Sequence, residues 1–178
     1  MDQWLSLEAL IWLFPVAFIL HDFEEIIMVE KWVARYANRV RRKLPKRLAN
    51  RMLKQFSMTT AQFAVAVIVM FMFVSTSTYC AYQYITQGPL GNIHFFVVCT
   101  LVFFIHLFTH LAQSLYFRCI TPGAVTSLII ILPYSILLFR SLAQHHVVDW
   151  AVVLASLPFV LLIVPILLLA HWIGKKMA

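Results

Sequence analysis

His21, Asp22, Phe23, Glu24 and Glu25 put four ionisable side chains into five positions. On a helix, His21, Glu24 and Glu25 stand at i, i+3 and i+4 and point to one side. A histidine and a carboxylate one turn apart can chelate a divalent transition ion, and a neighbouring carboxylate can take a proton from water bound to it. Downstream, His106, His110 and Gln113 follow at i, i+4 and i+7, one polar stripe on an otherwise apolar stretch. Metal chemistry would use His21, Glu25, His106 and His110 as ligands and Glu24 as general base. Gln113 and Arg118 would contact substrate. The donor set has no thiol, which argues against a cysteine-type structural zinc site. It suits a divalent transition metal, zinc first, with iron or manganese as alternatives.

The elements that must position these residues are membrane helices. Of the 178 residues 62% are hydrophobic and 12% charged, and the mean hydropathy is +0.87. A soluble domain is nearer half apolar and a quarter charged. The reading is an all-α, polytopic membrane helical bundle, a single integral membrane domain over residues 1–178. Crossing the hydrocarbon core takes about 20 residues, and five stretches qualify: about 4–29, 57–83, 92–117, 123–142 and 149–173. The first runs into charged residues rather than a small-residue cleavage site, so it is expected to be retained. An uncompensated acid at bilayer depth costs roughly 2.5 kcal/mol or more. The trio therefore cannot face lipid and must face a bundle interior.

Charge distribution sets the expected topology. The net charge is +7, but ten of the 14 Lys and Arg lie between Lys31 and Lys54. That concentration suits a membrane-surface loop and excludes a nucleic-acid footprint. The 30–56 loop is expected in the cytoplasm, the N-terminus outside and Lys175-Lys176 inside. Along the loop Trp32, Tyr36, Val40, Leu44, Leu48, Met52 and Phe56 recur every four residues. Pro45 divides them, which predicts two short amphipathic helices on the inner leaflet. Depth counting is the sharper argument. His110 precedes Arg118 by eight residues and His21 precedes Glu30 by nine, so both rings stand roughly 12–14 Å from the inner boundary. The two polar faces overlap if their helices are neighbours.

Three readings of the cluster remain open at this stage: a metal site, a metal-free acid–base site, or histidines and carboxylates that pair across helices as packing glue. The spacing of His21, Glu24 and Glu25 is similar to the His-x-x-Glu-His pattern of inverted zinc peptidases, with Glu25 in place of the second His. His21-Asp22-Phe23-Glu24-Glu25, near the start of a small multi-pass chain, also resembles the HXXEE domain family. That resemblance extends to overall size, hydrophobic character and the later His106, His110, Arg118 and Pro122-Gly123. It implies a multi-pass protein of the bacterial or archaeal plasma membrane and supplies no reaction.

The leading functional expectation is a metal-dependent intramembrane enzyme on a lipid or other hydrophobic substrate, by hydrolysis. A metal-free lipid isomerase or cyclase would use the same pocket. A transporter would need polar groups at several depths, and the second, fourth and fifth spans offer few, Ser75–Thr78 being the main exceptions. A non-catalytic interaction subunit would need only the basic loop. Expected partners are membrane lipids and the hydrophobic substrate, with no nucleic acid. Cys80, Cys99 and Cys119 lack any Cys-x-x-Cys pairing and read as small apolar residues. Pro133, Pro158 and Pro165 are expected to kink the last two spans.

Overall fold

The computed structural model describes residues 5–177, and among these there is no strand. Six helices follow in order: α1 Leu7–Lys43, α2 Lys46–Phe56, α3 Thr60–Ile85 and α4 Ile93–Phe117, then α5 Ala124–Gln144 and α6 Trp150–Met177. The turn signals sit where the helices start. Ser6 accepts from the Ala9 N–H at 3.1 Å, Thr59 and Gln62 form a reciprocal capping box, and Asn92 and Asp149 cap α4 and α6.

Four helices, α3 to α6, are long and apolar enough to cross a membrane. This corrects the expected five. No 18-residue stretch of α1 keeps to two acidic or basic residues, because Glu8 and then Asp22, Glu24 and Glu25 are spaced too closely. Trp4, where the expected first span begins, lies outside the described residues. α1 nevertheless runs antiparallel to α3 over nearly all of that helix. The Trp12 and Tyr82 rings are 5.6 Å apart, Phe18 and Phe71 are 6.4 Å apart, and Glu30 Oε2 accepts from both the N–H and the hydroxyl of Thr60 at 2.7 Å. Residues on the outer faces of the bundle, such as Ile68, Met72, Leu128, Leu161 and Leu168, are apolar and exposed. A water-facing surface does not carry so much apolar area. It is the surface of a membrane protein.

α1 is the centre of the bundle, packed against α3, α4 and α5. Its Phe14 is fully buried, edge-on to Phe96 and Phe103 at 5.5 and 5.6 Å and stacked on Tyr134 at 6.1 Å. The Tyr134 hydroxyl donates to the Leu10 carbonyl at 3.0 Å, satisfying a buried polar group inside this apolar core.

The basic segment departs from the expected pair of surface helices. Residues 31–43 are the unbroken continuation of α1, since nothing between Pro15 and Pro45 interrupts a helix, and only the second half forms a helix of its own. α2 folds back on this extension around Trp32, Val40, Ala49, Leu53 and Phe117. Arg39 Nη1 donates to the carbonyls of Phe117 and Arg118, both at 3.2 Å, and Lys43 reaches the Tyr116 carbonyl. These cations satisfy the open carbonyl end of α4 and oppose its dipole.

Irregular backbone falls near two of the three prolines. A π turn spans Ser127–Ile131 ahead of Pro133, and a 3-10 stretch spans Leu157–Leu162 around Pro158. Pro165 sits within the regular helix of Ile163–Met177. A proline has no N–H to offer the preceding turn, and widening or tightening the helix redistributes the bonds it leaves open.

Candidate functional site

His21 and Glu25 project from α1 toward His106 and His110 on α4. The adjacency that depth counting required is present. One ligand atom from each of the four lies within 4.8 Å of all the others. His110 Nε2 stands 3.1 Å from Glu25 Oε1 and 2.7 Å from His106 Nε2, and His106 Nε2 stands 3.7 Å from Glu25 Oε1. The His21 ring is 5.3 Å from the His106 ring and 5.1 Å from the His110 ring. A tetrahedral ion with bonds of about 2.1 Å sets its donors roughly 3.4 Å apart. The group could hold a metal ion after small side-chain movements.

Burial grades the four. His21 and His110 are buried, and the Glu25 side chain is 13% exposed, whereas that of His106 is 41% exposed. Three donors are enclosed and one stands at the open edge.

Glu24 is not part of this group. Its Oε2 accepts from the Thr126 N–H at 2.7 Å and from the Thr126 hydroxyl at 2.6 Å, and its Oε1 accepts from the Val125 N–H at 3.3 Å. A carboxylate from α1 thus caps the first turn of α5, where free N–H groups favour an anion. The Thr126 hydroxyl has a single proton, and the short contact to a carboxylate claims it. Its oxygen must then accept at 2.9 Å from His21 Nδ1, which therefore carries the ring proton. That leaves His21 Nε2 as a bare lone pair, buried and without a hydrogen-bond partner among the described residues. Glu24, Thr126 and His21 form a chain that fixes one imidazole in the tautomer and orientation a metal ligand needs. Among the described residues His110 has no such support, and its buried Nδ1 has no partner.

Gly123 closes the site from the loop side. Its φ is +78°, and a Cβ built on it would lie 2.7 Å from His110 Cε1, 2.8 Å from His21 Cε1 and 2.9 Å from His110 Nε2. A glycine takes that left-handed backbone without strain and leaves that space to the two rings. The loop is pinned by Thr121, which is fully buried. Its N–H donates to Ser114 Oγ at 3.1 Å, and its hydroxyl donates to the His110 carbonyl at 3.2 Å.

The chain matches the model of a family described as "Protein of unknown function with HXXEE motif" over residues 12–138. It belongs to that family. The matched stretch holds the HXXEE motif itself together with His106, His110, Gly123 and Thr126, and stops before α6. No curated protein and no solved structure matches the chain.

Of the two residues expected at the substrate, Gln113 is half-buried and outside the four-donor group, and Arg118 is exposed at the end of α4. His94, His145, His146 and His171 stand apart from the cluster. Asp22, the second residue of the HXXEE motif, is buried with its Oδ2 unpartnered among the described residues. Sequence reasoning missed the role of Thr126 and the position of Gly123 against the rings. Pro122-Gly123 was legible as a turn and as part of the family resemblance, but its contact with the rings was not, and nothing local marks Thr126, whose partners Glu24 and His21 lie about a hundred residues away.

Proposed function

We propose that the protein is a metal-dependent intramembrane enzyme acting on a hydrophobic substrate, with hydrolysis the reaction its donor set suits best. The observation that carries this reading is the grouping of His21, Glu25, His106 and His110 from two helices, with His21 oriented in advance through Thr126 and Glu24. Four protein donors close a tetrahedron, whereas a catalytic zinc keeps three and an open position. The burial gradient suggests the division. His21, Glu25 and His110 would hold the ion. His106, at the open edge, faces the substrate and moves the proton. A zinc ion held there would lower the pKa of its bound water toward neutrality and polarise the substrate; iron or manganese could hold all four donors and still keep open positions. Glu24, which the spacing suggested as general base, has both oxygens occupied by α5 and serves better as a positioning residue.

The same reading puts α1 as far as residue 29, within the expected first span of about 4–29, in the bilayer beside the four apolar helices, its charges facing inward. It puts the basic 30–56 segment on the cytoplasmic side and the N-terminus outside, in a prokaryotic plasma membrane.

A metal-free acid–base isomerase is the second reading. The 2.7 Å separation of the His106 and His110 Nε2 atoms favours it, as hydrogen-bond distance, with one ring donating to the other.

Elemental analysis of purified protein tests the choice. About one transition ion per chain is expected in the wild type and in His106→Ala, and little in His21→Ala, Glu25→Gln or His110→Ala. Metal-free wild-type protein that keeps a lipid-altering activity would favour the second reading. Full metal loading in His21→Ala and His110→Ala together would remove the first.

A further inference from the structure

A second site lies where α1 leaves the bundle. A cleft of about 590 Å³ opens between the α1 extension and the end of α4. It brings together Lys31, Arg35 and Arg39 from one side and Arg118 from the other, with Trp32 and Ile120 among its apolar walls. No carboxylate lines it. Arg39 is engaged with the two carbonyls at the end of α4. Lys31, Arg35 and Arg118 make neither an ion pair nor a side-chain hydrogen bond among the described residues.

Cations gathered into one concavity without an anion repel one another and concentrate positive potential there. Ordinary surface charge does not explain the backbone at this point. Arg118 takes φ 52° and ψ 45°, a left-handed conformation that costs a non-glycine residue and is usually filled by glycine at a helix end. Gln87 and His146 take the same conformation beside the ends of α3 and α5, so what distinguishes Arg118 is its cation at the mouth of the charged cleft. The planar guanidinium groups of Arg35 and Arg118 suit the oxygens of a phosphate, which they can meet in pairs.

The surroundings select the kind of phosphate. Arg118 directly follows the apolar helix Ile93–Phe117, so the cleft stands at the level where that helix meets the membrane surface. Ile27 and Ile120, both lining the cleft, are 63% and 62% exposed and offer an apolar track beside the cations. A free anion has no use for such a track. We propose that this cleft is a binding site for an anionic phospholipid, its phosphate held by Arg35 and Arg118 with Lys31 alongside, and its acyl chain lying past Ile27. The site requires no metal and stands whether or not the His/Glu cluster is catalytic.

The test uses the full-length protein in phosphatidylcholine nanodiscs containing a minor share of phosphatidylglycerol. The readout is phosphatidylglycerol retained per chain, measured by mass spectrometry of the intact complex after release from the disc. Arg118→Gly keeps a residue suited to φ 52°, so the backbone is preserved while the cation is removed. It and Arg35→Gln are each expected to lower retention about tenfold. Arg41→Gln and Arg51→Gln, which remove equal charge outside the cleft, are expected to leave it unchanged. Equal losses in all four variants would mean diffuse attraction to a basic surface and would overturn the site. Displacement of the lipid by an equal concentration of inorganic phosphate, or by an oligonucleotide, would overturn the lipid assignment.

Discussion

α1 and α6 solve opposite problems in the same bundle. α6 is the most apolar of the spans, almost all of its surface faces outward, and it rests mainly on α3. Hydropathy alone identifies it. α1 fails the same criterion because of its acids, yet it is the helix that every part of the site depends on. The family match covers nearly the whole of α1's bundle portion and none of α6. The contrast shows what a polar group inside a membrane protein requires: partners on other helices. Glu24 has the first turn of α5, and Glu25 has two imidazoles. Outward-facing leucines on α6 require nothing but lipid.

The contrast can be broken most severely at Gly123. A Cβ there meets both histidine rings, and the left-handed backbone adds about 1–2 kcal/mol of its own for any non-glycine residue. Gly123→Ala is expected to abolish metal loading and lower the melting temperature in detergent, read by elemental analysis and a thermal scan. Unchanged loading would mean that the rings are not held against this loop.

Thr126 gives the next largest effect. Thr126→Val keeps the shape and removes both the hydroxyl proton given to Glu24 and the acceptor that fixes His21. Loss of such a supporting partner typically weakens metal binding by about 10–100-fold. Thr126→Ser is expected to restore most of it, measured by competition with a chelator. A merely structural threonine would show the same melting change without the recovery of affinity. At the other end, Leu161→Ala and Leu168→Ala on α6 are expected to change neither metal content nor affinity measurably. A loss comparable to that of Thr126→Val would mean that the two regions are coupled, and the division drawn here would fail.

Much of this arrangement could be read before the fold. The buried charge at His21–Glu25 demanded an interior face, and counting residues to the basic boundary put His21 and His110 at matching depth. They do meet. The basic 30–56 segment was expected as two short surface helices because its charge was conspicuous, although residues 30–43 contain no helix breaker and simply prolong α1. The separate role of Glu24 was hidden for a different reason. Its spacing from His21 was compatible with catalysis, but its partners are the N–H groups of residues 125 and 126 and the Thr126 hydroxyl, about a hundred residues away, and neither backbone donors nor a distant threonine leave a trace in a local residue pattern. The cleft was half visible. Arg118 was legible as a substrate contact, while its gathering with Lys31 and Arg35 depends on α1 continuing as a rod past the bundle.

The long separation between His21 and Thr126 has a consequence for biosynthesis. The two are 105 residues apart in the chain. At about 5–20 residues per second, roughly 5–20 s pass between synthesis of the first helix and arrival of the group that orients its histidine. During that interval three acids and an imidazole wait without their final neighbours on a segment too polar to commit to lipid by hydropathy. The helix made first can pack on α3 early, but its site is completed only when α4 and α5 emerge.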